Sequence, residues 1–192
     1  GHGEGMNGKG HGKGMDCNGQ GRGGGHGMNA GKGGQGSGMD AATLPAQQST
    51  APLSASEAAA LTYMREEEKL ARDVYTTLAG TSGDARFTRI AASEQRHMDQ
   101  LGRLLTRYKL ADPTAGKAAG EFENAKLQQL YTDLVAQGSA SPAAALQVGR
   151  SIEKLDIADL QQREAASTHR DVTTVFQQLE RGSNMHLRAF TR

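Results

Sequence analysis

The chain has 192 residues, with 22 Lys and Arg against 21 Asp and Glu and a formal net charge of +1. No block of basic residues is interleaved with aromatics, so the electrostatic footprint of a nucleic-acid binder is missing and no nucleic-acid role is expected. No apolar run approaches the roughly 20 residues that cross a bilayer, and the single cysteine, Cys17, excludes an intramolecular disulfide framework.

Residues 1–54 read as an arm and linker. Eighteen of the 26 glycines lie in the first 38 residues, with His2, His11, His26, Met6, Met15, Met28 and Cys17 scattered among them. Ordering so many glycines costs more entropy than the sparse apolar surface returns, so a disordered segment is expected. Its imidazole, thioether and thiol groups suit copper or zinc; their irregular spacing equally suits a solubilising low-complexity arm. Pro45 and Pro52 mark the linker. The chain begins at Gly1 rather than Met, as a processed precursor would, so export to the periplasm or the exterior is expected, with the cytoplasm as the alternative.

Residues 55–192 carry the pattern of one all-α domain. A first helix starts at Ser54 or Ser56, N-caps followed by Glu57, and runs to about Ala79, where Gly80, Ser82 and Gly83 stop it. Leu61, Met64, Ala71, Tyr75 and Leu78 recur at spacings of three and four, and Glu68 fills the gap in that stripe. The same residue belongs to the run Glu66, Glu67, Glu68, which by itself reads as a solvated face. A second helix spans about Asp84 to Leu110, with the inward line Phe87, Ile90, Glu94, His97, Leu101, Leu104, Tyr108. Residues three apart lie side by side, so Glu94 and His97 can bind one ion, or one ion and its neighbour.

A shorter helix is expected over Phe122 to Gln137, with Leu127, Leu130, Tyr131 and Leu134 on one face. Ser141 and Pro142 open the next helix, which continues to about Ala166. There Leu146, Gly149, Glu153, Asp156 and Leu160 share a stripe, and Val148, Ile152, Leu155 and Ile157 make the helix broadly buried. The last helix, about Thr168 to Phe190, aligns Val172, Val175, Leu179, Gly182, His186 and Ala189, with Phe176, Leu187 and Phe190 beside them. Ser183 stands three residues before His186, where a paired motif would carry a second carboxylate.

Singly, each polar residue has an ordinary explanation: a core histidine with a hydrogen bond, a solvated acid, or Asp156 paired with Arg150 or Lys154. Jointly, Glu68, Glu94, His97, Glu153, Asp156 and His186 put four acids and two imidazoles on the apolar seams of four helices. Such a cluster repels itself unless a cation sits within it. Arginine can supply that charge, yet carboxylates with histidines are the ligand chemistry of iron or manganese, held as pairs in helical bundles.

The stretch Glu68-Lys-Leu-Ala-Arg-Asp-Val-Tyr75, followed by Phe87-Thr-Arg-Ile-Ala-Ala-Ser-Glu94-Gln-Arg-His97, resembles the first two helices of rubrerythrins. With Gly149 to Leu160 and Gly182-Ser-Asn-Met-His-Leu-Arg-Ala-Phe190, residues 58–190 resemble a ferritin-like family catalogued as domain of unknown function 2202. The resemblance implies a ferritin-like four-helix bundle with one additional short helix. It also implies Glu68, Glu94, His97, Glu153 and His186 as ligands, with Asp156 a sixth. Ser183 departs from the paired Glu-x-x-His pattern, and Asp156 is the candidate replacement.

The expected cofactor is two iron ions per chain, manganese being the alternative. The leading function is a di-iron carboxylate oxidoreductase of ferroxidase or peroxidase type, acting on ferrous iron, dioxygen or peroxide. Tyr75 and Tyr108, on the seams, are either redox-active neighbours of the site or packing residues. Rubredoxin-like cysteine pairs are absent, so an external electron donor is expected beside metal ions and small oxidants, and a homodimer is the candidate assembly. The alternative is a non-enzymatic metal-sequestration protein, with soft metals on the arm and a structural ion in the bundle. A third is a bundle whose metal site has decayed and which serves as an interaction module.

Overall fold

The computed structural model describes residues 51–192, so the expectations for the arm, including its copper or zinc ligands, lie outside the described residues. Among the described residues the protein is all-α, with five helices and no strand: α1 (Ala55–Ser82), α2 (Ala85–Arg107), α3 (Ala125–Gly138), α4 (Pro142–Ala166) and α5 (Arg170–Thr191).

Local chemistry sets the helix ends. Ser54, rather than Ser56, caps α1: its hydroxyl accepts the Glu57 N–H at 3.2 Å and the Glu57 carboxylate accepts the Ser54 N–H at 3.0 Å, a reciprocal capping box. The helix runs through Gly80, three residues beyond the expected stop. Gly83 ends it, because its φ of 69° is a left-handed conformation that a side chain would strain. Asp84 caps α2, which ends at Arg107, short of the expected Leu110. Asn124 caps α3 and Ser141 caps α4, with Pro142 at its first turn. The last helix begins two residues later than expected, since His169 turns its ring to Glu57 instead of entering the helix.

Packing follows from two apolar clusters. One joins the C-terminal half of α1 (Leu70, Val74, Tyr75, Leu78) to Phe87 and Ile90 of α2, Leu127 of α3, Val148 and Ile152 of α4, and Phe190 of α5. The other joins Leu61 and Met64 of α1 to Leu101, Leu104 and Leu105 of α2, Leu160 of α4, and Val172, Val175, Phe176 and Leu179 of α5. The first cluster uses the C-terminal halves of α1 and α5 but the N-terminal halves of α2 and α4. The neighbouring pairs α1·α2, α1·α4, α2·α5 and α4·α5 are therefore all antiparallel. The chain crosses from α2 to α4 by way of α3, which packs on α1 and α4.

Two expectations need correction. Leu155, counted among the residues that bury α4, is 39 % exposed, because it lies on the outer side of a helix whose inner side carries Ile152, Glu153, Asp156 and Leu160. The run Glu66, Glu67, Glu68 is not a solvated face, since all three are buried. Successive residues turn by about 100°, and each acid meets a different neighbour. Glu66 accepts the Glu123 and Asn124 N–H groups at the start of α3, Glu67 faces α4, and Glu68 points to the middle of the domain.

Candidate metal centre

Between the two apolar clusters lies a polar layer, one turn deep on each of four helices. In α1, Glu68 falls between Met64 and Ala71. In α2, Glu94 and His97 fall between Ile90 and Leu101. In α4, Glu153 and Asp156 fall between Ile152 and Leu160. In α5, Ser183 and His186 fall between Leu179 and Phe190. All of these polar residues are buried. The register is a consequence of heptad-like spacing: each helix spends one turn of its inward stripe on polar groups at mid-length, and antiparallel packing stacks those turns at one level.

Glu94 is the hub. Its Oε2 lies 2.8 Å from His97 Nδ1 and its Oε1 lies 2.9 Å from His186 Nδ1. Glu68 Oε2 approaches the His97 nitrogen at 3.3 Å, and Glu153 Oε2 approaches the His186 nitrogen at 3.6 Å. The two imidazoles stack with centroids 5.5 Å apart. The arrangement thus has two halves, each with one imidazole and one terminal carboxylate, joined by the two oxygens of Glu94. One donor atom from each of Glu94, His97 and His186 lies within 4.8 Å of the others.

Asp156 stands apart from the imidazoles. Its Oδ2 accepts the Ser183 hydroxyl at 2.5 Å, and Arg150 spends its guanidinium on the Phe190 carbonyl and Gln147, so the ion pair considered for Asp156 with Arg150 does not form. Tyr75 donates its hydroxyl to Glu153 Oε1 at 2.7 Å. Tyr108, expected near the cluster, gives its hydroxyl to Asp171 at 2.8 Å and sets its ring edge against His169, because it caps the C-terminus of α2 and packs against the second apolar cluster, away from the polar layer.

The donor directions are informative. Glu94 Oε1 and Oε2 and His186 Nδ1 are buried without a hydrogen-bond partner, although the contacts among them and His97 are 2.8 and 2.9 Å. They are close without being aimed at one another. Atoms that share an ion at about 2.1 Å and at right angles stand about 3 Å apart, each directed at the ion. Glu68 Oε1 and Asp156 Oδ1 are likewise buried without a donor. Carboxylate oxygens and an imidazole nitrogen orphaned in this way fit a hard-to-borderline divalent cation.

Among the described residues, protons on the cluster's own groups supply the alternative compensating charge at this point. Burial pushes the Glu68 carboxyl up to about 7 against the lowering by His97. Burial, and then the charge of Glu94, push Glu153 up to about 8, and burial holds Asp156 well above its usual range. Burial would raise Glu94 too, but its contacts with His186 and His97 outweigh it and hold the carboxyl down to about 2. Burial disfavours a charged imidazole, yet Glu153 and Glu94 bring His186 up to about 9, and Glu68 and Glu94 raise His97 well above its usual value. A cation entering here would displace those protons.

All six residues singled out in the sequence therefore lie in one buried layer: Glu68, Glu94, His97, Glu153 and His186 within direct or one-neighbour reach, and Asp156 at its edge. Sequence reasoning missed Glu67, which carries no place in the inward stripe, and the role of Gly182, whose backbone faces the His97 ring.

Comparison with known proteins agrees with the extent of this unit. The chain is 45 % identical over 141 residues to uncharacterized protein MJ0754 of Methanocaldococcus jannaschii, covering 73 % of this chain and 76 % of that one. The crystal structure of hypothetical protein MJ0754 from Methanococcus jannaschii is similar with a TM-score of 0.73 and 44 % identity, covering 78 % of this chain and 83 % of that chain. The model of the uncharacterized protein domain DUF2202 matches residues 57–192, a span that holds the whole polar layer, and the chain belongs to that family.

Proposed function

We propose that residues 55–192 form a ferritin-like four-helix bundle with α3 added on its crossover, and that its centre holds two metal ions, iron or manganese, for an oxidoreductase acting on ferrous iron, dioxygen or peroxide. The observation that carries this reading is Glu94, whose two oxygens each stand beside a different imidazole without a hydrogen bond. A bridging carboxylate between two ions has that disposition. Glu68 and His97 would hold one ion, and His186 and Glu153 the other. Asp156 would supply the acid that Ser183 does not, since the Ser183 hydroxyl fixes Oδ2 and leaves Oδ1 free.

Bound there, such a pair of ions supplies electrons to an oxidant, which neither carboxylates nor imidazoles can do. The chain's own residues hold and orient. Tyr75 fixes Glu153 Oε1, which turns Oε2 toward His186. The apolar clusters on either side exclude bulk water from the layer. With Cys17 the chain's single cysteine, electrons for turnover come from an external donor.

Elemental analysis of natively purified full chain tests the reading, with two equivalents of iron or manganese per chain expected. Anaerobic ferrous titration followed by air should then produce a near-ultraviolet oxo-to-iron band, absent in Glu94→Ala. Metal without oxidation chemistry would move the assignment to sequestration, and protein without metal under all loading conditions would sink it.

A further inference from the structure

Glu67 does not belong to the six-residue layer, yet it is 2 % exposed and neither of its carboxylate oxygens has a hydrogen-bond donor. One residue before Glu68, it turns toward α4, where Asp159 and Arg163 face it. The side chains of Asp159 and Arg163 are 22 % and 25 % exposed, whereas Asp156 and Glu68 are 5 % and 1 % exposed. Acids thus lead inward from solvent: Asp159 at the mouth, Glu67 behind it, and Asp156 and Glu68 at the edge of the centre. At the inner end, Glu68 Oε1 and Asp156 Oδ1 also lack donors.

The Glu67 carboxylate, buried without a donor, faces the Asp159 carboxylate, and like groups so placed repel unless a cation stands between them. Arg163 does not fill the gap. Its Nη2 is 3.6 Å from Asp159, its guanidinium lies over the Tyr63 ring at 4.3 Å from the centroid, and its Nε is buried without an acceptor. The Glu67 position offers oxygen ligands alone. A small divalent cation held there by two carboxylates, with water completing its shell, is bound less firmly than one that imidazoles and further carboxylates also hold, which suits passage rather than residence.

We propose that Glu67 and Asp159 form a transit station for divalent cations, which passes ions from solvent between α1 and α4 to the Asp156 and Glu68 edge of the centre, with Arg163 as a positive gate at its mouth. This rests on the metal reading above. A line of buried acids concentrates cations and raises their entry rate, and a guanidinium beside the line lowers it.

The test mixes metal-free full chain with Co²⁺ in a stopped-flow instrument and follows the visible absorption of cobalt bound by imidazole and carboxylate. Glu67→Gln is expected to load about tenfold more slowly than the wild type, with the same final amplitude. Arg163→Gln is expected to load faster. Circular dichroism establishes that each variant is folded, and Asp159→Asn, at the exposed end, gives the same slowing if Glu67→Gln does not fold. A wild-type rate in Glu67→Gln means that the acid only shares a proton with Asp159 and overturns the station. A reduced final amplitude makes Glu67 a ligand of the centre and also overturns it, as does slower loading in Arg163→Gln. A wild type that develops no absorption at all removes the centre itself, a failure of the functional assignment that these variants do not produce.

Discussion

Gly182 faces the His97 ring so closely that a Cβ built there would stand 2.5 Å from Nε2 and 2.7 Å from Cε1. The neighbour is a rigid ring whose other nitrogen lies 2.8 Å from Glu94 and 3.3 Å from Glu68, so it cannot move aside without leaving both carboxylates. Gly182→Ala is therefore expected to weaken metal binding by at least about tenfold and to cost about 1–3 kcal/mol by overpacking, with helix content unchanged. Titration with Mn²⁺ and thermal melts check both parts. Tyr75 has the opposite relation to its site: Tyr75→Phe keeps the ring among Phe87 and Phe190 and removes the hydroxyl's bonds, to Glu153 Oε1 at 2.7 Å and to the Gly149 carbonyl at 3.4 Å. A loss of about 1–3 kcal/mol is expected in the metal-free protein; a variant as stable as the wild type would mean that Glu153 finds another donor. At this scale the sequence is readable where a polar residue interrupts an apolar stripe, as Glu68, Glu94, His97 and His186 do. It is silent on Glu66 and Glu67, because what buries them is the start of α3 and the side of α4, more than 50 and 90 residues away.

At the scale of elements, the start of α1 is tied to the connection between α4 and α5. The Glu57 carboxylate, besides completing the α1 cap, accepts the Thr168 N–H at 2.8 Å, the Ser167 hydroxyl at 3.0 Å and the His169 ring nitrogen at 2.8 Å. Burial opposes ionisation of Glu57, but His169 and the Ser54 and Thr168 donors overcome it and hold the carboxyl well below its ordinary 4.5. The Glu57 contact likewise holds His169 above its ordinary 6.5. The depressed acid contributes stability that is present above about pH 4.5 and lost as pH falls through its folded value; the raised imidazole contributes stability present below about pH 6.5 and lost as pH rises through its folded value. Their joint contribution is therefore largest between those two values. In Glu57→Gln the difference in Tm from the wild type is expected to peak in that window and to shrink on the alkaline side. A difference that grows steadily above pH 7 would show that the ion pair is not the source. The sequence gives the capping serine and Glu57, since both sit within one turn, but not His169, which offers no local motif and meets Glu57 only when α5 returns beside α1. It also leaves two candidate glycines for the end of α1, and the backbone conformation at Gly83 decides between them.

For the molecule as a whole, the all-α class and the four long helices are legible because apolar residues repeat at helical spacing, and the level of the polar layer is legible because each helix breaks its stripe at mid-length. The crossing from α2 to α4 is not, since nothing local states on which side of α1 the chain returns. That layout sets a stability problem. Four acids and two imidazoles sit between two apolar clusters, and burying charge without a partner is costly. If ions complete the layer, binding is coupled to folding: each site filled at a free concentration 100-fold above its Kd adds about 2.7 kcal/mol, and 1 kcal/mol moves Tm by about 4 °C in a domain of this size. Removing the metal with a chelator should therefore lower Tm by about 10 °C or more, and Mn²⁺ or anaerobic Fe²⁺ should restore it. The Glu94→Ala variant should respond to neither treatment, because Glu94 joins both halves, whereas His186→Ala should keep about half of the response, because His186 belongs to one of them. Equal melting curves for chelated and reloaded wild type would mean that protons alone balance the buried acids, and the layer would then be a structural network rather than a metal centre.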